Sequence, residues 1–248
     1  MRARETHGAQ VKLEGQLIRL FVLGVDEQGS DLPNEASFGI ADWLELDKRI
    51  QESTRQSGVW PPAELQPLFA LAQHYGVPTR LLDWSLQGKV AAYFAAVSAR
   101  RRERRGVPPA SLAVWAYNDH AAQESGLWEG AETWPLVVRV PRFQNPNLNA
   151  QGGAFTLVAN ERLGAEAPAR VPALDRLIAE RARERTLAPP KSPVLHRLSL
   201  PLSQAGEALR RLRYERVSAT HLFPGYDGVV EGIRERALWD EVTFPWDY

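Results

Sequence analysis

Residues 68–96, LFALAQHYGVPTRLLDWSLQGKVAAYFAA, constrain this fold more than any other stretch. Two apolar patterns of helical period flank a polar segment. The first pattern stops at Gly76 and Pro78, a cap and a breaker in the usual order. The second starts at Ser85 or Gln87 and carries Val90, Tyr93, Phe94 and Val97 on its apolar side. Two core helices must therefore meet across about ten residues that include His74, Tyr75, Thr79, Arg80, Asp83 and Trp84. A helical connection needs only a glycine and a few polar groups. This one holds an imidazole, a phenol, a guanidinium, a carboxylate and an indole.

The remaining sequence limits what that segment can be part of. The chain has 248 residues, 44% hydrophobic and 24% charged, the balance of a water-soluble globular protein. Thirty basic residues offset thirty acidic ones, so no strongly basic surface is expected overall. There is no cysteine, which excludes disulfides, thiolate catalysis and cysteine-bound metal. Five scattered histidines give no metal-ligand spacing, so no metal is expected. No apolar run is long enough to span a membrane, and the start lacks a signal-peptide core. The expectation is a cytoplasmic protein with no membrane partner.

The chain opens on ten polar residues, expected to be frayed. A helix follows, with Leu13, Leu17, Leu20 and Phe21 at helical spacing. A polar stretch over 24–39 reads as a loop. A second helix is expected near 40–56, with Trp43, Leu46 and Ile50 on one face. Trp60-Pro61-Pro62 breaks the chain and opens the helix that runs to His74. The basic run 100–105 reads as a solvated helix end, where cations suit the dipole. Strands are expected at 112–117, 136–140, 154–158 and 195–200. Residues 162–193 read as a charged surface insertion. Ser203 is expected to cap a helix with Ala208, Leu209 and Leu212 inward. A last helical unit spans 219–236, and an aromatic tail closes the chain at 237–248. The result is one α+β domain over 11–236, helical first and sheet-rich later.

Three groups carry candidate chemistry. In the first, Arg80 and Asp83 are spaced to pair, which makes them a structural clamp with Tyr75 and Trp84 as filling. The alternative is that Arg80 and His74 face a cleft and hold an anion such as a nucleotide phosphate, a task that suits the planar fork of arginine. The second group is Gln151-Gly152-Gly153-Ala154-Phe155. Its glycines permit a close approach of backbone or flat ligand, or a bulge at a strand start. The third is His221 with Asp227, read as a hydrogen-bonded core histidine rather than a base.

These residues also carry a resemblance. FALAQHYGVPTRLLDW followed by AAYFA resembles the signature of the FRG domain, a family of bacteria and phages. AVWAY, NPNLNAQGGAFT and LRRLRYERVSATHLFPGYDGVVEGIR resemble further pieces of that family in the same order, over about 13–236. The tripeptide that names the family, Phe/Tyr-Arg-Gly on a first strand, does not occur in this sequence. Either the start is truncated or this member has lost the strand.

The family's order of parts is similar to an ADP-ribosyltransferase-like fold, a helical N-terminal part packed on a mostly antiparallel split sheet. The resemblance implies NAD as the cofactor and a role in phage defence. His74, Tyr75, Thr79, Arg80, Asp83, Trp84, Gln151 and Phe155 would then contact the nucleotide. Tyr75 and Trp84 would stack on its rings and Arg80 would hold phosphate. Gln151 stands where that fold carries a glutamate, and a carboxamide cannot act as a base. A non-catalytic module that binds protein or nucleic acid is the competing expectation.

Overall fold

The computed structural model describes residues 7–29, 32, 43–54, 59–131, 133–140, 145–160, 173–185 and 192–239. In chain order its helices and strands are α1 (His7–Glu27), α2 (Trp43–Ser53), α3 (Gln66–His74), β1 (Leu82–Ser85), α4 (Gly88–Arg104), β2 (Ser111–Tyr117), α5 (Asp119–Glu124), β3 (Thr133–Val138), α6 (Pro146–Ala150), β4 (Gly153–Asn160), α7 (Leu174–Arg185), β5 (Leu195–Pro201), α8 (Ala205–Tyr214), α9 (Ala219–Leu222) and α10 (Tyr226–Arg236). The architecture is α+β, with helices first and two small sheets. One sheet runs β1–β4–β3 and the other pairs β2 with β5. Strand β1 lies inside the polar segment read as a loop between two helices. The expected aromatic tail after Trp239 and most of the expected insertion lie outside the described residues.

The contacts group into two compact units. The first comprises Met1–Asp83, Asp119–Pro141 and Ala154–Lys191; the second comprises Trp84–Asn118, Arg142–Gly153 and Ser192–Tyr248.

In the first unit, α1 packs on α2 and α3. The buried face of α1 is Val11, Glu14, Ile18 and Val22. The expected stripe is therefore displaced: Leu13 and Leu20 are exposed. Two apolar stripes of helical period interleave in this helix, and the small residue Gly15 decides between them. A Cβ there would come within 2.8 Å of Thr54, so only the glycine side lets α2 approach closely. On α2, Leu46 and Ile50 are buried as expected. Trp60, Leu65, Leu68 and Phe69 complete this core, with the Trp60 and Phe69 rings edge-on at 5.4 Å. Each such side chain contributes about 1.5–3 kcal/mol by leaving water. Strands β3 and β4 pair antiparallel from Thr133↔Asn160 to Val138↔Phe155.

In the second unit, Val90, Tyr93, Ala96 and Val97 of α4 meet Leu209 and Leu212 of α8, Leu112 of β2 and Leu222 of α9. Strands β2 and β5 pair antiparallel from Ser111↔Pro201 to Tyr117↔Leu195. Helix α8 starts after a 3-10 turn, Leu202–Gln204, and no side chain caps it, so Ser203 does not play the expected role. The α9–α10 corner is tight, since a Cβ on Gly228 would lie 1.7 Å from the carbonyl oxygen of Phe223. The basic run is not simply solvated. Arg100 donates to the carbonyl of Leu238, Arg104 donates to that of Ala237, and Arg101 pairs with Glu231 at 2.6 Å. The end of α4 thus supplies cations and donors to the C-terminal end of α10, where free carbonyls need both.

Candidate functional site

The polar segment begins where α3 ends. Gly76, at φ +92, lets the chain turn back on the helix. Its amide donates to Gln73 O at 2.9 Å and that of Val77 donates to Ala72 O at 3.0 Å, the paired bonds of a Schellman cap. The turn throws Thr79–Asp83 back past the last helical turn. Gln73 uses that placement. Its amide nitrogen donates to Asp83 Oδ1 at 2.7 Å, and its amide oxygen accepts from the Thr79 hydroxyl. The Thr79 oxygen in turn accepts from the amide of Leu81 at 3.2 Å. Gln73 thereby ties helix, loop and strand together.

His74 and Tyr75 complete the segment. Their rings sit edge-on at 5.5 Å, and Tyr75 is 72% exposed. Burial lowers the His74 pKa, opposed by the nearby Asp83 carboxylate. The imidazole is thus held neutral, an acceptor as much as a donor. Asp83 is shifted up by desolvation of its carboxyl, against the Gln73 bond and the charge on His74, although the residue as a whole reaches solvent.

Arg80 does not pair with Asp83. Its Nε donates to Glu14 Oε2 at 2.7 Å, with both side chains over nine-tenths buried. The spacing argument fails because residues three apart are neighbours on a helix, while extended backbone entering β1 carries them to different faces. Glu14 also accepts from the Trp60 indole at 2.8 Å and from Gln10 at 3.4 Å. A buried charge of either sign is costly alone, and here carboxylate and guanidinium answer each other. One nitrogen stays unanswered: among the described residues, buried Arg80 Nη2 has no hydrogen-bond partner. Glu14 was missed from sequence, yet it left a signal, a lone charge on the stripe Val11, Ile18 and Val22.

Phe155 also belongs to the first unit and is 4% exposed, a core residue of β4. Trp84 and Gln151 belong to the second. The Trp84 ring is tilted against Tyr117 at 6.1 Å. Gln151 ends α6, donating its amide to Leu222 O at 3.1 Å and accepting from Ser85 Oγ at its backbone oxygen at 2.7 Å. Gly152, at φ +58, continues that cap, and its carbonyl takes the amide of Leu86 at 2.9 Å. A Cβ on Gly152 would come within 3.0 Å of the Gln87 side chain and one on Gly153 within 2.2 Å of that of Leu148, so it is mainly side chain that approaches these glycines closely. His221 is exposed rather than core, and its Nδ1 lies 2.8 Å from Ser218 Oγ, with no bond to Asp227.

The second unit holds another residue that sequence reasoning missed. Glu235 is 2% exposed, and its Oε2 accepts from the Tyr93 hydroxyl at 2.9 Å and the Ala219 amide at 2.5 Å. Oε1 is buried without a hydrogen-bond partner among the described residues. Desolvation raises its pKa above the usual glutamate range, and the two donors oppose the shift. The same buried pairing drives the Tyr93 phenol strongly upward, by desolvation first and then by the carboxylate.

Among the described residues no group of three or more acidic or histidine side chains is placed to hold a metal, and no helix is long and apolar enough to cross a membrane. Residues 11–104 match the family model described as the FRG domain. The matched span covers α1 to α4 and includes the whole polar segment, but stops well short of the C-terminal pieces that carried the resemblance. No curated protein and no solved structure matches the chain.

Proposed function

We propose that this protein, which carries an FRG domain, binds NAD through residues 74–83 in the manner of an ADP-ribosyltransferase-like domain, with recognition rather than transfer as its task. The observation that carries this reading is the buried, unpartnered Nη2 of Arg80. A guanidinium N–H left without an acceptor costs about 1–3 kcal/mol or more, so a state in which an anionic oxygen reaches it is favoured. A phosphate oxygen is the acceptor whose geometry the fork matches. Tyr75 offers an exposed ring for stacking, and neutral His74 and Thr79 offer hydrogen bonds to ribose or amide. Recognition is preferred over transfer because Gln151 is a carboxamide whose nitrogen is already committed to Leu222 O. A role in phage defence rests on the family resemblance alone.

The Gln73–Thr79–Asp83 circuit favours a second reading. A polar segment satisfied from within is what a purely structural signature would show, and the domain would then act through protein or nucleic-acid contacts.

Calorimetry and thermal shift with NAD, with nicotinamide release followed by chromatography, separate these readings. Binding without release is the expected result, and Tyr75→Ala should weaken it without moving the melting temperature. Release of nicotinamide would add transfer to the task. Absence of any binding at millimolar NAD would leave the second reading.

A further inference from the structure

The second unit contains a hollow of about 520 Å³ lined by Arg210, Arg213, Tyr214, Arg236 and Trp239. The sequence explains the convergence. Arg210, Arg213 and Tyr214 fall three and four apart at the end of α8, so they share one helix face. Arg236 closes α10, and Trp239 follows three residues later. The Arg213 guanidinium stands over the Trp239 ring at 5.8 Å. Tyr214 is 90% exposed among the described residues, an unusual cost for a large ring.

The charges around this hollow do not balance. Arg210 pairs with Glu207 at 3.2 Å, and Glu207 also takes Arg211 at 2.8 Å. Arg213 and Arg236 have no carboxylate within ion-pair distance among the described residues. Arg210 is answered by Glu207, and Arg213 lies in the field of the buried Glu235 without pairing with it. The cationic excess left on Arg213 and Arg236 is what an entering anion would meet, and a concave wall concentrates that field. The groups that would meet the anion are forked donors, suited to phosphate oxygens. Beside them are two rings, one already used by a cation and one free for a flat ligand. The volume lies within the range of small-molecule sites.

We propose that this hollow binds a nucleoside phosphate, with Arg213 and Arg236 on the phosphates, Arg210 in reserve behind Glu207, and Tyr214 stacked on the base. It lies within the second unit and does not depend on NAD binding at residues 74–83.

The test is calorimetry on the full chain with ATP, inorganic triphosphate and adenosine as probes. ATP is expected to bind, more weakly as salt rises, with adenosine much weaker. Arg213→Ala combined with Arg236→Ala should weaken ATP by about tenfold or more. Tyr214→Ala should weaken ATP and leave inorganic triphosphate unchanged, a split that a folding defect would not produce. Glu207→Gln should tighten both phosphates by freeing Arg210. These residues are exposed or lie at helix ends, and unchanged melting curves check that the variants fold. The proposal is overturned if ATP fails to bind, if the double arginine variant binds as well as the parent, or if a single-stranded oligonucleotide binds while ATP does not.

Discussion

Each unit buries one glutamate, and the two are treated in opposite ways. Glu14 meets a guanidinium, an indole and an amide, so its charge is answered by a charge. Among the described residues Glu235 accepts hydrogen bonds from a phenol and a backbone amide, with Arg213 and Arg101 acting on it only at longer range, so its charge is answered mainly by dipoles. The leftover atom differs accordingly. In the first unit it is a donor, Arg80 Nη2; in the second it is an acceptor, Glu235 Oε1. A guanidinium has more donors than one carboxylate can accept, so the pair leaves a spare N–H. A carboxyl desolvated among neutral donors has its pKa raised, and its bond to the Ala219 amide makes it a structural cap for α9. The comparison therefore puts the spare buried donor in the first unit and the spare buried acceptor in the second.

The largest expected effect breaks the ion pair. Arg80→Met strands the buried Glu14 charge and should cost about 3–5 kcal/mol in chemical denaturation. The double variant Arg80→Met with Glu14→Met should recover most of that loss. A double variant no better than the single would mean that the pair is not the buried unit described.

A smaller effect is expected from the dipolar site. Tyr93→Phe removes one neutral donor from Glu235 and should cost about 1–3 kcal/mol. A loss as large as that of Arg80→Met would show that Glu235 is held as a full charge, and the contrast between the units would fall.

The smallest effects are on pH dependence, and their signs differ. Glu235 has a folded pKa above its ordinary value near 4.5, so the folded chain holds that proton more tightly. Its contribution is full below that value and is lost as pH rises through the raised one. His74 has a folded pKa below 6.5, so its contribution is present above 6.5 and lost as pH falls through the lowered value. Melting temperatures across pH 4–8 (about the range spanned by ordinary Glu and His titration) should therefore lose their high-pH decline in Glu235→Gln and their low-pH decline in His74→Gln. The same slope change in both variants would contradict the opposite shifts.

Much of this was legible in the sequence. Period and punctuation located α3, α4 and strands β2, β4 and β5, because Gly76 and Pro78 are local signals with local consequences. The residues 74–83 were singled out from their composition. Their partners were not, because partners are set by distant parts of the chain. Arg80 pairs with a residue 66 positions away, and Tyr93 with one 142 away. Glu14 and Glu235 are ordinary letters on helices until packing removes their water. Strand β1 was missed because four residues carry no period, and pairing with β4 is what makes them a strand.

The grip of α4 on Ala237 and Leu238 has a practical consequence for shortening the gene. The family match ends at Arg104, which invites a fragment cut at that point or just beyond α10. A stop codon after Arg236 would remove both carbonyls that Arg100 and Arg104 hold, together with the Trp239 ring beneath Arg213. A cut at 104 would also remove Glu235, which accepts from the Tyr93 hydroxyl, and the carbonyls that Arg100 and Arg104 hold. The shortest version worth expressing keeps everything through Trp239.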